Sequence, residues 1–321
     1  MTDIARLVAD LSNLPGAPGR EDAVRSHLGA VAAVLGTPVE MEVDALGNLL
    51  LHRPGPGRRL LLLAAMDEPA LVVTHVDPDG WVWVGPAGTP DLERLGRRVR
   101  FADGTRAVLA RRPPGEGHGR WYLDAGGAAP PTAVGAMAVA DLNAEILPGG
   151  ALAGKALGAR GACAALLAAL EHAHPGADLH AAFVSCALLD HRTVPSLVRR
   201  ADPEMVVSVS GVAATDTPGA TGADVRLGGG AVLVVSDRGL VASLAALDAL
   251  AAAADRAGVR PQVAVADPGT TAAGPALRAG GGAPAGAIGF PLRHAGSPAE
   301  VCLPRDIEAC AAVLAALPAV P

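Results

Sequence analysis

The chain has 321 residues, half of them apolar, with 18% charged and a formal charge of −6 at neutral pH. A mean hydropathy of +0.34 excludes a disordered chain, and the net negative charge, with only three Trp, one Tyr and three Phe, excludes nucleic acid as a partner. The length predicts one large α/β domain with an insertion, or two domains.

Asp3 to Leu11 reads as a helix, followed by a Pro-Gly turn and a second helix from about Arg20 to Leu35. Glu40 to Asp44 and Asn48 to His52 are strand-like runs split at Gly47-Asn48. Leu60 to Ala64 is continuously apolar and of strand length, the texture of a strand buried inside a covered sheet.

From Leu71 to about Val139 the texture changes. Short β-like runs follow one another without helices between them: Leu71 to His75, Trp81 to Val84, Val99 to Phe101, Ala107 to Arg111, Trp121 to Leu123 and Ala136 to Val139. This predicts a small barrel or sandwich. All the tryptophans and the sole tyrosine fall in it, and are expected to compensate for a small core.

After Gly154 helix alternates with strand. Helices are expected over Gly161 to His174, Val194 to Arg200, Leu240 to Ala257, Ala272 to Ala279 and Arg305 to Leu317. Strands are expected over Ala181 to Leu188, Met205 to Ser210, Ala231 to Ser236, Gln262 to Ala266 and Ala285 to Gly289. Such alternation predicts a mostly parallel sheet covered by helices. Because the chain leaves this texture and returns to it, residues 1–68 and 150–321 are expected to form one discontinuous α/β domain around an inserted β-barrel domain at 69–149.

Cys163, Cys186, Cys302 and Cys310 have no C-x-x-C spacing, so reduced thiols are expected. The opening residues are acidic where a secretory leader would be basic, and no apolar run reaches about 18 residues. A cytoplasmic protein without membrane contact is the expectation.

Six runs carry a resemblance: DALGNLL from Asp44, LLAAMDEPALVVTHVDPDGWVWV from Leu62, DLERLGRRVRF from Asp91, GKALGARGAC from Gly154, DTPG from Asp216 and GSPAEV from Gly296. In this order and spacing they resemble the M42 family of metallo-aminopeptidases, the glutamyl aminopeptidase and tetrahedral-peptidase group, over nearly the whole chain. The resemblance implies an α/β peptidase domain carrying a β-barrel that mediates assembly. It also implies removal of N-terminal residues from peptides by two divalent metals such as zinc or cobalt, held by two His, two Asp and one Glu, with a second Glu as general base. Such ions lower the pKa of a bound water enough for attack at neutral pH.

At the matching positions this chain differs throughout. The first His falls on Ala65, the bridging Asp on Gly158, the base and ligand Glu pair on Cys186 and Ala187, the strand-end Asp on Ser210 and the last His on Gly296. Asp67, which in the family orients that first His, remains. Anions and imidazoles have gone together, the pattern of a scaffold kept folded after its metals were abandoned, so no metal cofactor is expected.

Among the other groups, His172 and His174 point to different sides of a helix and cannot chelate together. His75 and Asp77 share a strand face and form a weak ligand pair. The glycine runs at Gly228 and Gly280 lack phosphate-loop context, no G-x-S-x-G elbow exists, and Arg97, Arg98, Arg100, Arg111 and Arg112 read as a solvated face or an interface.

The expected function is therefore a non-catalytic, peptidase-like binding or assembly protein. Its partners would be a peptide or small-molecule ligand and further subunits, either identical copies or an active paralogue. The alternative is a working aminopeptidase or hydrolase with a rebuilt site on Cys186 and His294, or with unrecognised ligands among Asp67, Glu68, His294 and Asp216.

Overall fold

The computed structural model describes residues 3–88, 92–112, 120–127, 133–174, 176–222, 224–266 and 271–317. Asp91, the first residue of one of the family-like runs, lies outside them.

The chain opens with α1 (Ile4–Asn13) and α2 (Asp22–Ala32), then β1 (Glu40–Val43), β2 (Leu49–Arg53) and β3 (Arg59–Ala65). Asp3 caps α1 by accepting the Arg6 backbone N–H, supplying a partner for one of the free donors that every helix start exposes. Six strands follow: β4 (Ala70–Val76), β5 (Val82–Ala87), β6 (Arg98–Phe101), β7 (Arg106–Arg111), β8 (Trp121–Asp124) and β9 (Met137–Ala140). They close into an antiparallel barrel in the order β4-β5-β8-β7-β6-β9. Closure pairs every edge, which matters for strands this short.

The barrel narrows the aromatic expectation, since Trp83 is buried and Trp121 packs on its core while Trp81 and Tyr122 add little to it. The interior is filled by aliphatic residues and Phe101, among them Leu71, Val73, Val99, Leu109 and Leu123. Trp81 is 46% exposed and meets Tyr122 edge-on. Arg97 and Arg111 lie over the Trp121 ring at 5.1 and 5.7 Å. The arginines read as a solvated face are thus partly used within the fold, since Arg100 also donates to the Asn13 carbonyl.

The remaining elements are β10 (Glu145–Ile146), β11 (Leu152–Gly154), α3 (Leu157–His172), β12 (Asp178–Val184), α4 (Val194–Ala201), β13 (Met205–Ala213), β14 (Val232–Asp237), α5 (Leu244–Ala257), β15 (Gln262–Ala266), α6 (Ala273–Leu277), β16 (Ala285–Leu292), β17 (Glu300–Cys302) and α7 (Pro304–Ala316). The main sheet has eight strands in the order β1-β2-β12-β3-β13-β16-β14-β15. Its centre, β12-β3-β13-β16, is parallel throughout, while β14 runs antiparallel to β16. Helices α1, α3, α5 and α7 cover one face, packing on Leu51, Leu62, Phe183 and Ile288. Helices α4 and α6 cover the other, on Leu61, Leu63 and Val206.

Small residues make this packing close. β16 is buried at all eight positions, and a Cβ at Gly161 of α3 would lie 2.5 Å from the Phe290 ring. Glycine therefore lets α3 approach the sheet where a larger residue would hold it off. Helix α3 ends at His172 rather than His174. A feature absent from the sequence reading is the three-stranded sheet β10-β11-β17, which pairs Gly154 with Glu300 and so carries Glu300 to the start of α3.

Candidate functional site

Parallel strands with helices on both faces leave a crevice beyond their carboxyl ends, where ligands bind in open α/β sheets. Ala65 ends β3, opposite Val184 of β12. Ser210 lies on the neighbouring β13, opposite Gly289 of β16. Gly158, in the first turn of α3, faces Gly211, since a Cβ on Gly211 would lie 2.8 Å from the Gly158 Cα. Gly296 joins through Glu300, whose Oε2 accepts the Gly158 N–H at 3.0 Å and Oε1 the Gly296 N–H at 2.7 Å. The structure thus gathers Ala65, Gly158, Ser210 and Gly296 at one sheet edge, each partly open to solvent.

That edge carries few donors. Alanine and glycine offer no carboxylate or imidazole, and the Leu292 side chain lies over the bare backbone. A Cβ at Gly158 would be 2.9 Å from Leu292 Cδ2, and one at Gly211 would be 2.7 Å from it. A pair of divalent ions needs hard oxygen and nitrogen ligands around both ions, and the residues at these positions do not fit that requirement. Beside Ser210 a cavity of about 320 Å³ is lined by Gly211, Thr215, Val225, Asp237, Thr271 and Ala295.

Cys186 follows β12 with φ 52°, a left-handed conformation. Its N–H donates to Glu21 Oε1 at 2.9 Å, while Glu21 Oε2 accepts the Ser185 hydroxyl at 2.8 Å. Burial pushes the Cys186 thiol up, the Ser185 hydroxyl opposes this, and the Glu21 and Asp67 carboxylates add to the rise. Ala187 is buried. His294 is exposed, just beyond β16. Strands β12 and β16, which lead into Cys186 and His294, are three spacings apart in the sheet, about 14 Å, and no hydrogen bond joins the two side chains among the described residues.

The remaining polar candidates divide sharply. Both Glu68 oxygens accept from Lys155 Nζ, at 2.6 and 2.7 Å, and Oε1 also takes the Gly16 N–H and Arg160. Asp216 is held by both arms of the Arg293 guanidinium at 2.8 and 2.7 Å. Neither carboxylate is left free to ligate. Asp67 accepts the Leu188 N–H through Oδ2 at 2.9 Å, but its buried Oδ1 has no hydrogen-bond partner among the described residues. Burial raises the Asp67 carboxyl to about 7, against the Leu188 hydrogen bond and with help from Glu21.

The two buried acids Glu21 and Glu300 were not singled out from sequence. Glu300 stands inside the GSPAEV run and could have been; nothing local marks Glu21. A further group was also missed. His52, Asp178 and His180 each place a possible ligand atom within 4.8 Å of the others, at the opposite end of β12.

The sequence pattern of the M42 glutamyl aminopeptidases matches residues 131–313, more than half of the chain. The chain belongs to the M42 glutamyl aminopeptidase family. It is 24% identical over 317 residues to a putative aminopeptidase of Acetivibrio thermocellus, covering 95% of this chain and 96% of that protein. A lysyl aminopeptidase of Pyrococcus furiosus is 32% identical over 100 residues, 30% of this chain and 28% of that protein. Among solved structures, an aminopeptidase from the archaeon Desulfurococcus kamchatkensis superposes with a TM-score of 0.90 at 24% identity, over 99% of this chain and 95% of that one. The Pyrococcus horikoshii TET1 peptidase, described as able to assemble into a tetrahedron or a large octahedral shell, gives 0.85 at 21%, over 98% and 99%. At these identities the superpositions establish the M42 fold. No helix of the described residues is long and apolar enough to cross a membrane.

Proposed function

We propose that this M42 homologue is non-catalytic, its dinuclear centre lost and its cleft kept for binding or assembly. One observation carries the reading: hydrocarbon from Leu292 stands where a side chain at Gly158 or Gly211 would project. The chemistry of the edge agrees with it: Ala65, Gly158, Ser210 and Gly296 offer no carboxylate, and the buried Glu300 gives both its oxygens to the Gly158 and Gly296 N–H groups. The discontinuous organisation, 1–68 and 150–321 around 69–149, belongs to the same reading. So does a peptide or small-molecule ligand in the cavity beside Ser210. The shells described for the TET1 peptidase motivate a homo-oligomer, or a mixed assembly with an active paralogue.

A rebuilt hydrolase on Cys186 has less support. A nucleophilic thiol needs its pKa lowered, and the surroundings of Cys186 raise it. The deciding experiment loads the His52→Ala/His180→Ala chain with zinc or cobalt, so that the separate histidine group contributes nothing, and assays aminoacyl p-nitroanilides. The expected outcome is no ion in the cleft and no turnover. Two tightly held ions with turnover would overturn the proposal.

A further inference from the structure

At the end of the sheet away from the cleft, three adjacent strands place polar side chains in one row. Asp178 and His180 are two apart on β12 and so point to the same face. His52 of β2 pairs with His180, and Glu40 of β1 pairs with His52. The face is that of α4, since Glu42, two residues beyond Glu40, bonds Arg200 of that helix. From Asp178 to Val184 is six residue steps, about 20 Å of strand, so the row is distant from Cys186 and the cleft.

The geometry within the row is specific. His52 Nε2 lies 2.8 Å from Asp178 Oδ1, and His180 Nε2 lies 3.8 Å from the same oxygen. His52 Nδ1 lies 3.2 Å from Glu40 Oε2. Both imidazoles and Asp178 are half-buried, whereas the Glu40 side chain is largely exposed. Arg59, in register with Asp178, directs its guanidinium to the backbone and carboxylate of Asp202.

We infer that His52, Asp178 and His180 form a binding site for a divalent transition metal of the zinc class, with Glu40 as the outer partner of His52. Two imidazole nitrogens and a carboxylate oxygen suit zinc or cobalt over magnesium or calcium. Metal–ligand bonds of about 2.0–2.2 Å in a tetrahedron separate ligand atoms by about 3.4 Å, between the two distances to Asp178 Oδ1. A carboxylate on the far nitrogen of a ligating imidazole fixes its orientation, the role open to Glu40. The fourth position is left to water.

The two rings stack at 3.9 Å and 6°, so one imidazole must turn about Cβ–Cγ to bring both nitrogens onto a common ion. That torsion is soft in histidine. On ligating the metal through Nε2, His52 would carry its ring proton on Nδ1, toward Glu40. The ion would pin β2 to β12 beside β1, an edge strand exposed at all four positions.

The full-length protein, stripped with EDTA, is titrated with zinc chloride by calorimetry and with cobalt chloride by visible absorption. One equivalent is expected, with a tetrahedral cobalt spectrum and a zinc-dependent rise in Tm. His52→Ala and His180→Ala should each weaken affinity at least tenfold, and Glu40→Gln by less. Imidazole nitrogen NMR of the wild-type chain reads the same site without substitution, through zinc-induced shifts at His52 and His180. No binding, unchanged affinity in both alanine variants, or zinc-insensitive His52 and His180 resonances would overturn the proposal. The single equivalent rests on the proposed empty cleft, whereas the losses in the alanine variants and the His52 and His180 resonances report this row whether or not the cleft is catalytic.

Discussion

Asp67 and Glu68 are neighbours in sequence, both buried, and lead into two different regions. Glu68 enters an internal ion cluster in which both its oxygens are satisfied by Lys155, with Arg160 and the Gly16 N–H alongside. Asp67 faces the cleft side and keeps one oxygen without a partner among the described residues. The oxygens of Glu68 in the cluster supporting the cleft are satisfied, while the cleft edge is mostly alanine, glycine and leucine, with the Glu300 oxygens spent on the Gly158 and Gly296 N–H groups. Folding and catalysis therefore place separate demands on adjacent residues. A chain can retain the first set and lose the second, because the internal cations would be stranded without Glu68, whereas Ala65 and Gly158 leave nothing stranded except one oxygen of Asp67.

The largest expected effect breaks the satisfied side. Glu68→Ala leaves Lys155 and Arg160 as buried cations without their carboxylate, and should cost about 3–5 kcal/mol in urea denaturation. A loss below about 1 kcal/mol would mean that the cluster is not the anchor described.

The unsatisfied side is sharpened by pH. The folded chain holds the Asp67 proton up to about pH 7, whereas the ordinary carboxyl releases it near 3.8. Between those values the folded state binds more protons than the unfolded one. The Asp67 contribution is thus most favourable below about pH 4 and is lost as pH rises to about 7, a change on the order of 4 kcal/mol. Asp67→Asn should remove this slope and leave the variant the more stable chain at pH 8. Denaturation at pH 5 and pH 8 measures it, and a slope unchanged from wild type would count against the buried Asp67 carboxyl as its source.

The smallest effect concerns Cys186. With its thiol pushed up and only half exposed, Cys186 should react slowly with iodoacetamide at pH 7.5, and Cys186→Ala should change stability by less than about 1 kcal/mol. Rapid alkylation that abolishes a peptidase activity would revive the rebuilt-site alternative.

Much of the architecture was legible in the sequence because texture reports burial. Leu60 to Ala64 announced a central strand, the short runs from Leu71 to Val139 became the barrel strands, and the return to alternation after Gly154 became the helix-covered sheet. The glycine and alanine at Ala65, Gly158 and Gly296 were equally visible, since an absent side chain needs no structure to be seen. Tertiary structure decided the rest. Leu292 gave no local sign that it would cover Gly158, which lies 134 positions earlier in the chain. Trp81 and Tyr122 moved to the barrel exterior because its interior was filled by aliphatic residues. Glu300 reached the α3 start only through a small sheet whose strands were too short to announce themselves. His52 and His180 met only when β2 paired with β12. Periodicity is a property of neighbours along the chain, and these contacts depend on register between distant strands, which no local pattern encodes.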